Sequence, residues 1–180
     1  MKEKTYEEKI KERRARYDKS YKNSPHSPLL EKQKEKFEKM EYFPINKEYK
    51  IIAKFTENIN PDKIMIPATK GDIREYYRYG VAEFEIDGKK CKLTVFKPAI
   101  GNYEYLPFKD KTTGIDSYKG GRYVDPKQIS ETEMIIDFNT AYNPYCAYND
   151  RYSCAMVPDE NILNVTISAG QKKFDNYQPM

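Results

Sequence analysis

The sequence predicts a mainly β domain, an antiparallel barrel-like or two-sheet sandwich fold, with two N-terminal α-helices packed on it. Helical periodicity ends near residue 44, and short alternating runs bounded by Gly, Pro, Asn and Asp follow it. Because no helix is predicted between these runs, antiparallel pairing is favoured. We therefore divide the chain into an N-terminal helical segment, residues 1–44, and a β domain, residues 45–180, within a single compact unit.

Two helices are predicted in the N-terminal segment. Thr5 and Glu8 have the spacing of a capping box, which marks the start of the first helix. A mostly aromatic stripe follows at helical spacing: Tyr6, Ile10, Arg13, Tyr17 and Tyr21. Ser27 is predicted to cap the second helix and Pro28 to be its first residue. The stripe of the second helix is Leu30, Gln33, Phe37 and Met40.

Candidate strands fill the β domain. In chain order they are YKIIAKFT, KIMIPAT, REYYRYGVAEFEID, KKCKLTVFK, YEYLPF, RYVD, EMIIDFN and NILNVTISA. The dipeptide Asp87-Gly88 suits a type I′ hairpin turn between the third and fourth of them. Residues on the two sides of this turn are expected to share one face of the sheet: Ala82, Phe84, Ile86, Cys91, Leu93 and Val95.

Composition and charge restrict the classes of protein that the chain can belong to. The net charge of +4 equals the excess of nine Lys or Arg over five Asp or Glu in residues 1–22, so the rest is neutral on balance. Such a segment favours a solvated helix face over nucleic-acid binding. No apolar run predicts a membrane span or a signal peptide. The odd count of 3 Cys favours free thiols and a cytoplasmic location.

The stretch from Asp137 to Cys154, DFNTAYNPYCAYNDRYSC, concentrates asparagine, tyrosine and cysteine. In the preceding run EMIIDFN, alternation directs Met134, Ile136 and Phe138 towards the core. Asp137 and Asn139 then share the other face, about 7 Å apart, and could hold one small ligand together. The following segment, AYNPYCAYNDRYSC, has no long apolar run and is predicted to be a loop.

A polar site is predicted from side chains that are remote in the sequence. Arg122 offers a planar fork for a carboxylate or phosphate, and Asp137 and Glu160 are the candidate catalytic acid and base. The candidate ligand-binding residues are Arg122, Asn139, Tyr142, Asn143, Cys146, Tyr148, Asn161, Asp110 and Thr113. The alternative is that Arg122 and Asp137 form a structural pair while the asparagines satisfy loop backbone. The sequence does not decide between the two.

Several familiar chemistries are disfavoured. The only histidine, His26, lies in a proline-flanked linker, so serine–histidine and cysteine–histidine catalysis lack a base. No phosphate-binding glycine loop occurs. Cys146 and Cys154 are separated by seven residues, unlike a zinc-binding pair, and no metal site is predicted. Two buried thiols, a disulfide and, least favoured, a metal-bound pair remain open for these cysteines, whereas Cys91 is expected in the core. No cofactor is identified.

The chain resembles a family called domain of unknown function 1684. The resemblance runs from SPLLEKQKEKFEKMEYFP through LPFKDKTTGIDSYKGGRYVD to IIDFNTAYNPYCAY and ISAGQK, nearly the whole chain. The family pattern falls on Phe108, Asp110, Thr113, Gly114, Tyr118, Gly120, Gly121, Arg122, Tyr123, Asp137, Phe138, Asn139, Tyr142, Asn143, Pro144, Cys146, Tyr148, Cys154, Glu160, Asn161 and Gly170. Departures are Ser117 for Thr, Ala155 and Val157 for prolines, and Gln171 for a Glu that could have served as a general base. The resemblance implies no particular activity.

The predicted function is the binding of a small polar or anionic molecule in a pocket beside the sheet. The strand EMIIDFN is expected to floor this pocket and the loop AYNPYCAYNDRYSC to cover it. Catalysis is left open. The alternative is a protein or nucleic-acid interaction module whose polar network is purely structural, because tyrosine-rich strands such as REYYRY could stack bases. Interleaved Glu and Asp make nucleic acid the less favoured partner. The oligomeric state is not predicted.

Overall fold

A computed structural model describes residues 3–177 and 179 of the chain. Two α-helices come first, α1 at Tyr6–Asn23 and α2 at Glu31–Lys36. Eight strands follow: β1 Lys50–Glu57, β2 Lys63–Pro67, β3 Ile73–Ile86, β4 Lys89–Pro98, β5 Leu106–Phe108, β6 Arg122–Val124, β7 Lys127–Gln128 and β8 Glu133–Asp137. Short 3-10 turns occupy Lys47–Tyr49, Phe138–Thr140, Tyr145–Ala147 and Asp159–Asn161. In the described part of the chain, neither helix is long and apolar enough to cross a membrane.

The strands form two antiparallel sheets. In the six-stranded sheet the long strand β3 is central, with β2 and β1 along one edge and β4 along the other, and β8 and β7 continue beyond β1. Strands β5 and β6 make a second, two-stranded sheet, which a bridge between Phe96 and Tyr105 attaches to β4. The prediction of a mainly β, antiparallel fold with two N-terminal helices is confirmed. The large sheet follows an open path and does not close into a barrel.

The β3–β4 hairpin forms as predicted. Asp87 and Gly88 both have positive φ angles, 50° and 72°, which a type I′ turn requires and which glycine adopts without strain. The turn sets the register so that Phe84 lies opposite Cys91. The six residues predicted to share one face are all buried there: Ala82, Phe84, Ile86, Cys91, Leu93 and Val95.

The first helix also begins as predicted. The Thr5 side chain accepts from the Glu8 backbone N–H, and the Glu8 carboxylate accepts from the Thr5 N–H, which completes the capping box. The second helix starts later than expected, with Leu30 at its N-cap. Ser27 does not cap it, because the Ser27 hydroxyl donates to the carbonyl of Tyr21 and accepts from the N–H of Leu29. These bonds hold a short linker between the two helices.

One predicted strand, NILNVTISA, does not join a sheet. It runs as an extended segment that makes a single parallel bridge, between Ile162 and Lys109. The segment is nevertheless part of the main core, to which it contributes Leu163, Val165, Ile167 and Ala169. Its first half bonds to the backbone of residues 109–111, where Leu163 N–H donates to the Lys109 carbonyl at 2.8 Å. Further along it bonds to buried side chains, since Ile167 N–H donates to Asp110 and the Ile167 carbonyl accepts from Arg122. The alternation of apolar residues alone could not show whether this backbone would pair with a strand or with side chains.

A second, aromatic cluster attaches the helices to the loop after β8. Tyr21 and Tyr148 pack edge to face with ring centroids 5.3 Å apart, and Phe174 packs on Tyr148 at 5.0 Å. The buried members of this cluster are Tyr21, Leu29, Phe37, Met40, Ala147 and Tyr148. The tyrosine-rich stripe of α1 therefore contacts the loop that follows β8.

Candidate functional site

Arg122 lies at the centre of a closed polar cluster. Its guanidinium is 1% exposed and pairs with the Asp110 carboxylate at 3.3 Å. The same fork donates to the carbonyls of Ile167 at 3.0 Å and Gln171 at 3.2 Å, and to that of Ala169. Burial lowers the pKa of Arg122, and the Asp110 charge opposes that shift. Protein groups thus occupy most of its donors, although Nε has no partner among the described atoms.

Asp110 shapes the loop before β6. Its carboxylate accepts from the Thr112 hydroxyl at 2.9 Å and from the Thr113 hydroxyl at 3.3 Å. Thr112 in turn contacts the Ser117 hydroxyl at 2.8 Å. We call Arg122, Asp110, Thr112, Ser117 and the carbonyls bound to Arg122 the buried Arg122 network. It joins the loop of residues 110–117 to the C-terminal segment.

Asp137 belongs to a different cluster, and the structure does not bring it to Arg122. The Tyr6 hydroxyl of helix α1 donates to both Asp137 oxygens, at 2.8 and 3.0 Å. Asn139 does not share a ligand-facing surface with Asp137, because the strand ends at Asp137 and Asn139 turns back to donate to it at 3.2 Å. Burial and the Asp137 carboxylate together raise the pKa of Tyr6. Asp137 therefore anchors α1 to the sheet.

Glu160 pairs with a cation on the central strand. The guanidinium of Arg78 contacts its carboxylate at 2.9 and 3.0 Å, and the Thr94 hydroxyl donates to it at 2.8 Å. Its neighbour Asn161 is fully buried and binds the N–H and the carbonyl of Thr94 at 2.8 and 2.9 Å. A third bond reaches the Pro107 carbonyl at 2.8 Å. Glu160 and Asn161 thus fasten their 3-10 turn to strand β4.

The predicted Asn139 and Asn143, and Asn149, which was not predicted, also bond to backbone from distant parts of the chain. Asn139 accepts from the N–H of Asn46 at 2.9 Å and donates to the Asn46 carbonyl at 2.7 Å. Asn143 donates to the Lys172 carbonyl, and Asn149 donates to the Pro28 carbonyl at 2.7 Å. A carboxamide offers one acceptor and donors like a peptide group, so it can replace a missing strand neighbour. These side chains join segments that no β-ladder connects.

The two predicted tyrosines have different hydrogen-bond partners. The Tyr148 hydroxyl is buried and contacts the Tyr21 hydroxyl at 3.2 Å and Gln171 Oε1 at 3.3 Å. Burial raises the pKa of Tyr148 well above its usual value. Tyr142 instead donates to the exposed Asp125 carboxylate at 2.8 Å. Gln171, which stands where the family usually has Glu, also accepts from the Asn143 N–H at 2.8 Å, so its carbonyl oxygen serves two donors.

An open cavity of about 610 Å³ lies on the outer side of the 110–119 loop. Its wall contains Cys146, the one predicted site residue among its lining side chains. We call this cavity the lysine pocket, because Lys70, Lys119 and Lys173 line it together with a single acidic residue, Asp150. The remaining lining residues are Thr69, Gly114, Ser117, Tyr118, Ala147, Tyr152, Phe174 and Tyr177.

The lysine pocket is built on the buried Arg122 network. Ser117 belongs to both, since its hydroxyl contacts Thr112 while the residue lines the cavity. All three lysines were missed by reasoning from the sequence, although two of them directly precede a glycine: Lys70 before Gly71 and Lys119 before Gly120. Gly71 has a φ of 87°, and Gly71 N–H donates to the Ala68 carbonyl, so a tight turn presents Lys70 at the surface. A lysine within such a turn is the signal that could have been used.

Cys146 and Cys154 meet beside this pocket. The Cys146 N–H donates to Cys154 Sγ at 3.3 Å, and the Tyr118 hydroxyl lies 3.7 Å from Cys146 Sγ. A hydrogen bond from the Cys146 thiol lowers the pKa of Cys154 to about 7, and the charge of Arg74 acts in the same direction. The same interaction raises the pKa of Cys146. All three cysteines are free thiols, and the described residues contain no group of three or more His, Cys, Asp or Glu that could hold a metal ion.

The geometry defines a mainly antiparallel β protein in which buried carboxamides and one buried arginine support an open, lysine-lined cavity. The chain belongs to the family described as Protein of unknown function (DUF1684), whose model matches residues 35–172. It is similar to an uncharacterized protein of Haloarcula marismortui solved by solution NMR, with 30% identity and a TM-score of 0.72. That match covers 93% of this chain and 94% of the other. No curated protein matches the chain.

Proposed function

We propose that this protein binds a small anionic molecule with a planar group in the lysine pocket. The observation that carries the proposal is a cavity of about 610 Å³ with three lysines and four aromatic side chains in its wall. Lys70, Lys119 and Lys173 outnumber Asp150, which leaves an excess of two positive charges. A concave site with converging cations raises the local concentration of an anion.

The aromatic wall determines the shape of molecule that would fit. Tyr118, Tyr152, Phe174 and Tyr177 present rings to the cavity. Aromatic faces pack well against planar groups, in stacked or edge-to-face arrangements. Lysine is a compact point charge and suits phosphate or carboxylate oxygens without a fixed fork geometry. A planar molecule that carries a phosphate or carboxylate can pack on the aromatic rings and pair with the lysines at the same time.

The proposal keeps the ligand class that the sequence predicted and moves the site. Arg122, Asp110 and Thr113 act from behind the wall, where they fix the loop that carries Gly114, Ser117 and Lys119. Both candidate catalytic carboxylates are bound by side chains of the protein, Asp137 by Tyr6 and Glu160 by Arg78. Catalytic roles for them stay predictions. The free cysteines support a reducing, cytoplasmic environment as part of the same proposal.

The test is a titration with pairs of probes in which one partner carries an anionic group that the other lacks. Adenosine 5′-monophosphate and adenosine form one pair, and benzoate and benzamide form a second, smaller pair. We expect the anion of each pair to perturb the backbone amide signals of residues 114–119 and 146–150 in nuclear magnetic resonance spectra, and the neutral partner to act at least about tenfold more weakly. Equal responses to both partners, or none, would contradict the proposal.

A matched set of variants locates the binding. Replacing Lys70, Lys119 and Lys173 together by Gln removes the three pocket cations and should abolish the preference for the anion. The control replaces Lys89, Lys90 and Lys92 by Gln, which changes the net charge equally on an exposed hairpin. If both variants lose anion binding to the same extent, the effect comes from net charge, and the pocket is not the site.

A further inference from the structure

The loop after β8 holds two thiols in a fixed arrangement that the binding of an anion does not require. Cys146 lies in the 3-10 turn Tyr145–Ala147, and its N–H donates to Cys154 Sγ at 3.3 Å. Cys154 is held from the other side by Thr69, whose hydroxyl accepts from the Cys154 N–H at 3.1 Å and whose N–H donates to the Cys154 carbonyl at 3.0 Å. Both backbones are therefore anchored, and the two thiols are within hydrogen-bonding reach of each other.

The two thiols have different environments. Cys146 is buried in the wall of the lysine pocket, whereas Cys154 is partly exposed. A hydrogen bond from the Cys146 thiol lowers the pKa of Cys154 to about 7, and the backbone N–H groups of Cys146 and Tyr145 and the charge of Arg74 add to this effect. Charged and titratable groups that interact with Cys154 from the surrounding elements are Arg74, Tyr105, Tyr118, Tyr123 and Cys146. Arg74 is itself paired with Asp72 at 3.2 Å, which partly offsets its charge. A partly exposed thiol with a lowered pKa is typical of reactive cysteines.

We propose that Cys154 and Cys146 form a redox-active dithiol that reduces small disulfides, with Cys154 as the attacking thiolate and Cys146 as the resolving thiol. In the first step Cys154 Sγ bonds to one sulfur of the disulfide, whose S–S bond breaks. The released thiolate takes a proton from solvent. A mixed disulfide on Cys154 remains.

The second step uses the coupling between the two cysteines. The hydrogen bond with Cys154, burial and the negative charge on Cys154 raise the pKa of Cys146, and forming the mixed disulfide removes the first and the last of these. Cys146 then loses its proton and attacks Cys154 Sγ, which forms the Cys146–Cys154 disulfide and expels the second small thiolate. Two electrons pass from the protein to the small disulfide, giving two small thiols and one protein disulfide. Cys146, the resolving thiol, therefore stays protonated until the mixed disulfide on Cys154 has formed.

The lowered pKa of Cys154 determines how much faster this thiol attacks a disulfide than an ordinary thiol does. At pH 7 a thiol of pKa 7 is about half ionised, whereas one at the usual value near 9 is about 1% ionised. Nucleophilicity falls as the pKa falls, so the net gain in rate is about sixfold. A dithiol of this kind also gains because the second step is intramolecular.

The preference for an anionic disulfide rests on the proposed function, but the dithiol chemistry does not. Oxidised glutathione carries several carboxylates, and hydroxyethyl disulfide is neutral. We expect oxidised glutathione to react faster than the neutral disulfide by about tenfold at low salt. Equal rates with both would overturn the charge preference and leave the dithiol proposal standing. No reaction with either would overturn the dithiol proposal and leave anion binding untouched.

Three single variants test the assignment of roles, with intact mass and peptide mapping as readouts. The wild-type protein should release two thiols per chain and acquire a Cys146–Cys154 link. Cys146→Ser should accumulate one mixed disulfide on Cys154, and Cys154→Ser should form neither product. Cys91→Ser is the control, because Cys91 is a core residue of strand β4 and should not change the reaction.

Two results would overturn the proposal. One is that Cys146→Ser fails to trap an adduct on Cys154 under conditions in which the wild type is oxidised. The other is an alkylation rate of Cys154 by iodoacetamide that rises with a midpoint near pH 9 instead of near pH 7. The second measurement needs no disulfide and no anion, so it tests the thiol environment even if a variant folds poorly.

Discussion

The buried Arg122 network and the lysine pocket lie on two sides of one loop, yet their cations have opposite surroundings. Arg122 is 1% exposed and donates to one carboxylate and three carbonyls of the protein. Lys70, Lys119 and Lys173 are exposed residues around a cavity of about 610 Å³. A cation that is fully engaged by its own chain organises the fold, whereas a cation beside open space is available to a ligand.

The comparison also separates two uses of polar residues in the DFNTAYNPYCAYNDRYSC stretch. Its asparagines are buried and bond to backbone of remote segments, as Asn149 does to Pro28. Its cysteines lie at the pocket, where Cys146 lines the wall. Substitutions of the buried polar residues should therefore cost stability, and substitutions of the pocket residues should not.

Replacing Arg122 by Met should cost about 4 kcal/mol of unfolding free energy. The variant leaves the Asp110 carboxylate buried without its partner, which typically costs about 3–5 kcal/mol. Chemical denaturation measures the loss, and Arg16→Met on the exposed face of α1 is the matched control. Adding Asp110→Asn should recover part of the stability by removing the uncompensated charge. An Arg122→Met protein as stable as the wild type would show that the network is not structural.

Replacing Asn161 by Ala should cost about 3 kcal/mol. The carboxamide binds the N–H and carbonyl of Thr94 and the carbonyl of Pro107, and each buried group left without a partner costs about 1–3 kcal/mol. Asn102→Ala, at an exposed position, is the control and should change stability by less than about 0.5 kcal/mol. Equal stability of the two variants would contradict the supporting role assigned to buried asparagines.

The β fold could be predicted because its signals are local. Asp87-Gly88 specifies a turn, and alternation of apolar residues specifies the faces of β3 and β4. The capping box of Thr5 and Glu8 is equally local. The segment NILNVTISA has the same alternation, but at Ile167 its backbone partners are the side chains of Arg122 and Asp110, which lie about fifty residues earlier in the chain. No pattern of residues within the segment indicates these distant partners.

The candidate site was harder to predict, because residue type does not reveal what a side chain faces. Arg122 and Asp137 are chemically able to bind a ligand, but the structure gives them separate protein partners, Asp110 and Tyr6. Lysines in turns look like ordinary surface residues until the fold places Lys70 beside Lys119 and Lys173. Cys146 was selected from the sequence and does line the pocket. The types of residue in a sequence therefore indicate the chemistry of a binding site better than they indicate its position in the fold.

Replacing Tyr148 by Phe should cost about 1–2 kcal/mol at pH 7, through loss of the hydrogen bonds to Tyr21 and Gln171. The loss should shrink as the pH rises above about 10. Burial raises the pKa of Tyr148, so above that pH the unfolded wild type releases a proton that the folded wild type retains. The wild type is then destabilised relative to the Phe variant by about 1.4 kcal/mol per pH unit. Denaturation of both proteins at pH 7 and pH 10.5 measures the change, and a gap that widens with pH would contradict it.

Replacing Lys70, Lys119 and Lys173 by Gln should leave the stability within about 0.5 kcal/mol of the wild type for each substitution, the smallest effect expected. None of these side chains has the closed set of protein partners that Arg122 has, although Lys70 donates to the Arg151 carbonyl at 3.3 Å. The melting temperature in the absence of ligand checks this, and the shift produced by an anionic probe should disappear in the same variant. A large loss of stability without ligand would mean that the lysines support the fold as Arg122 does, and the distinction between the two regions would fail.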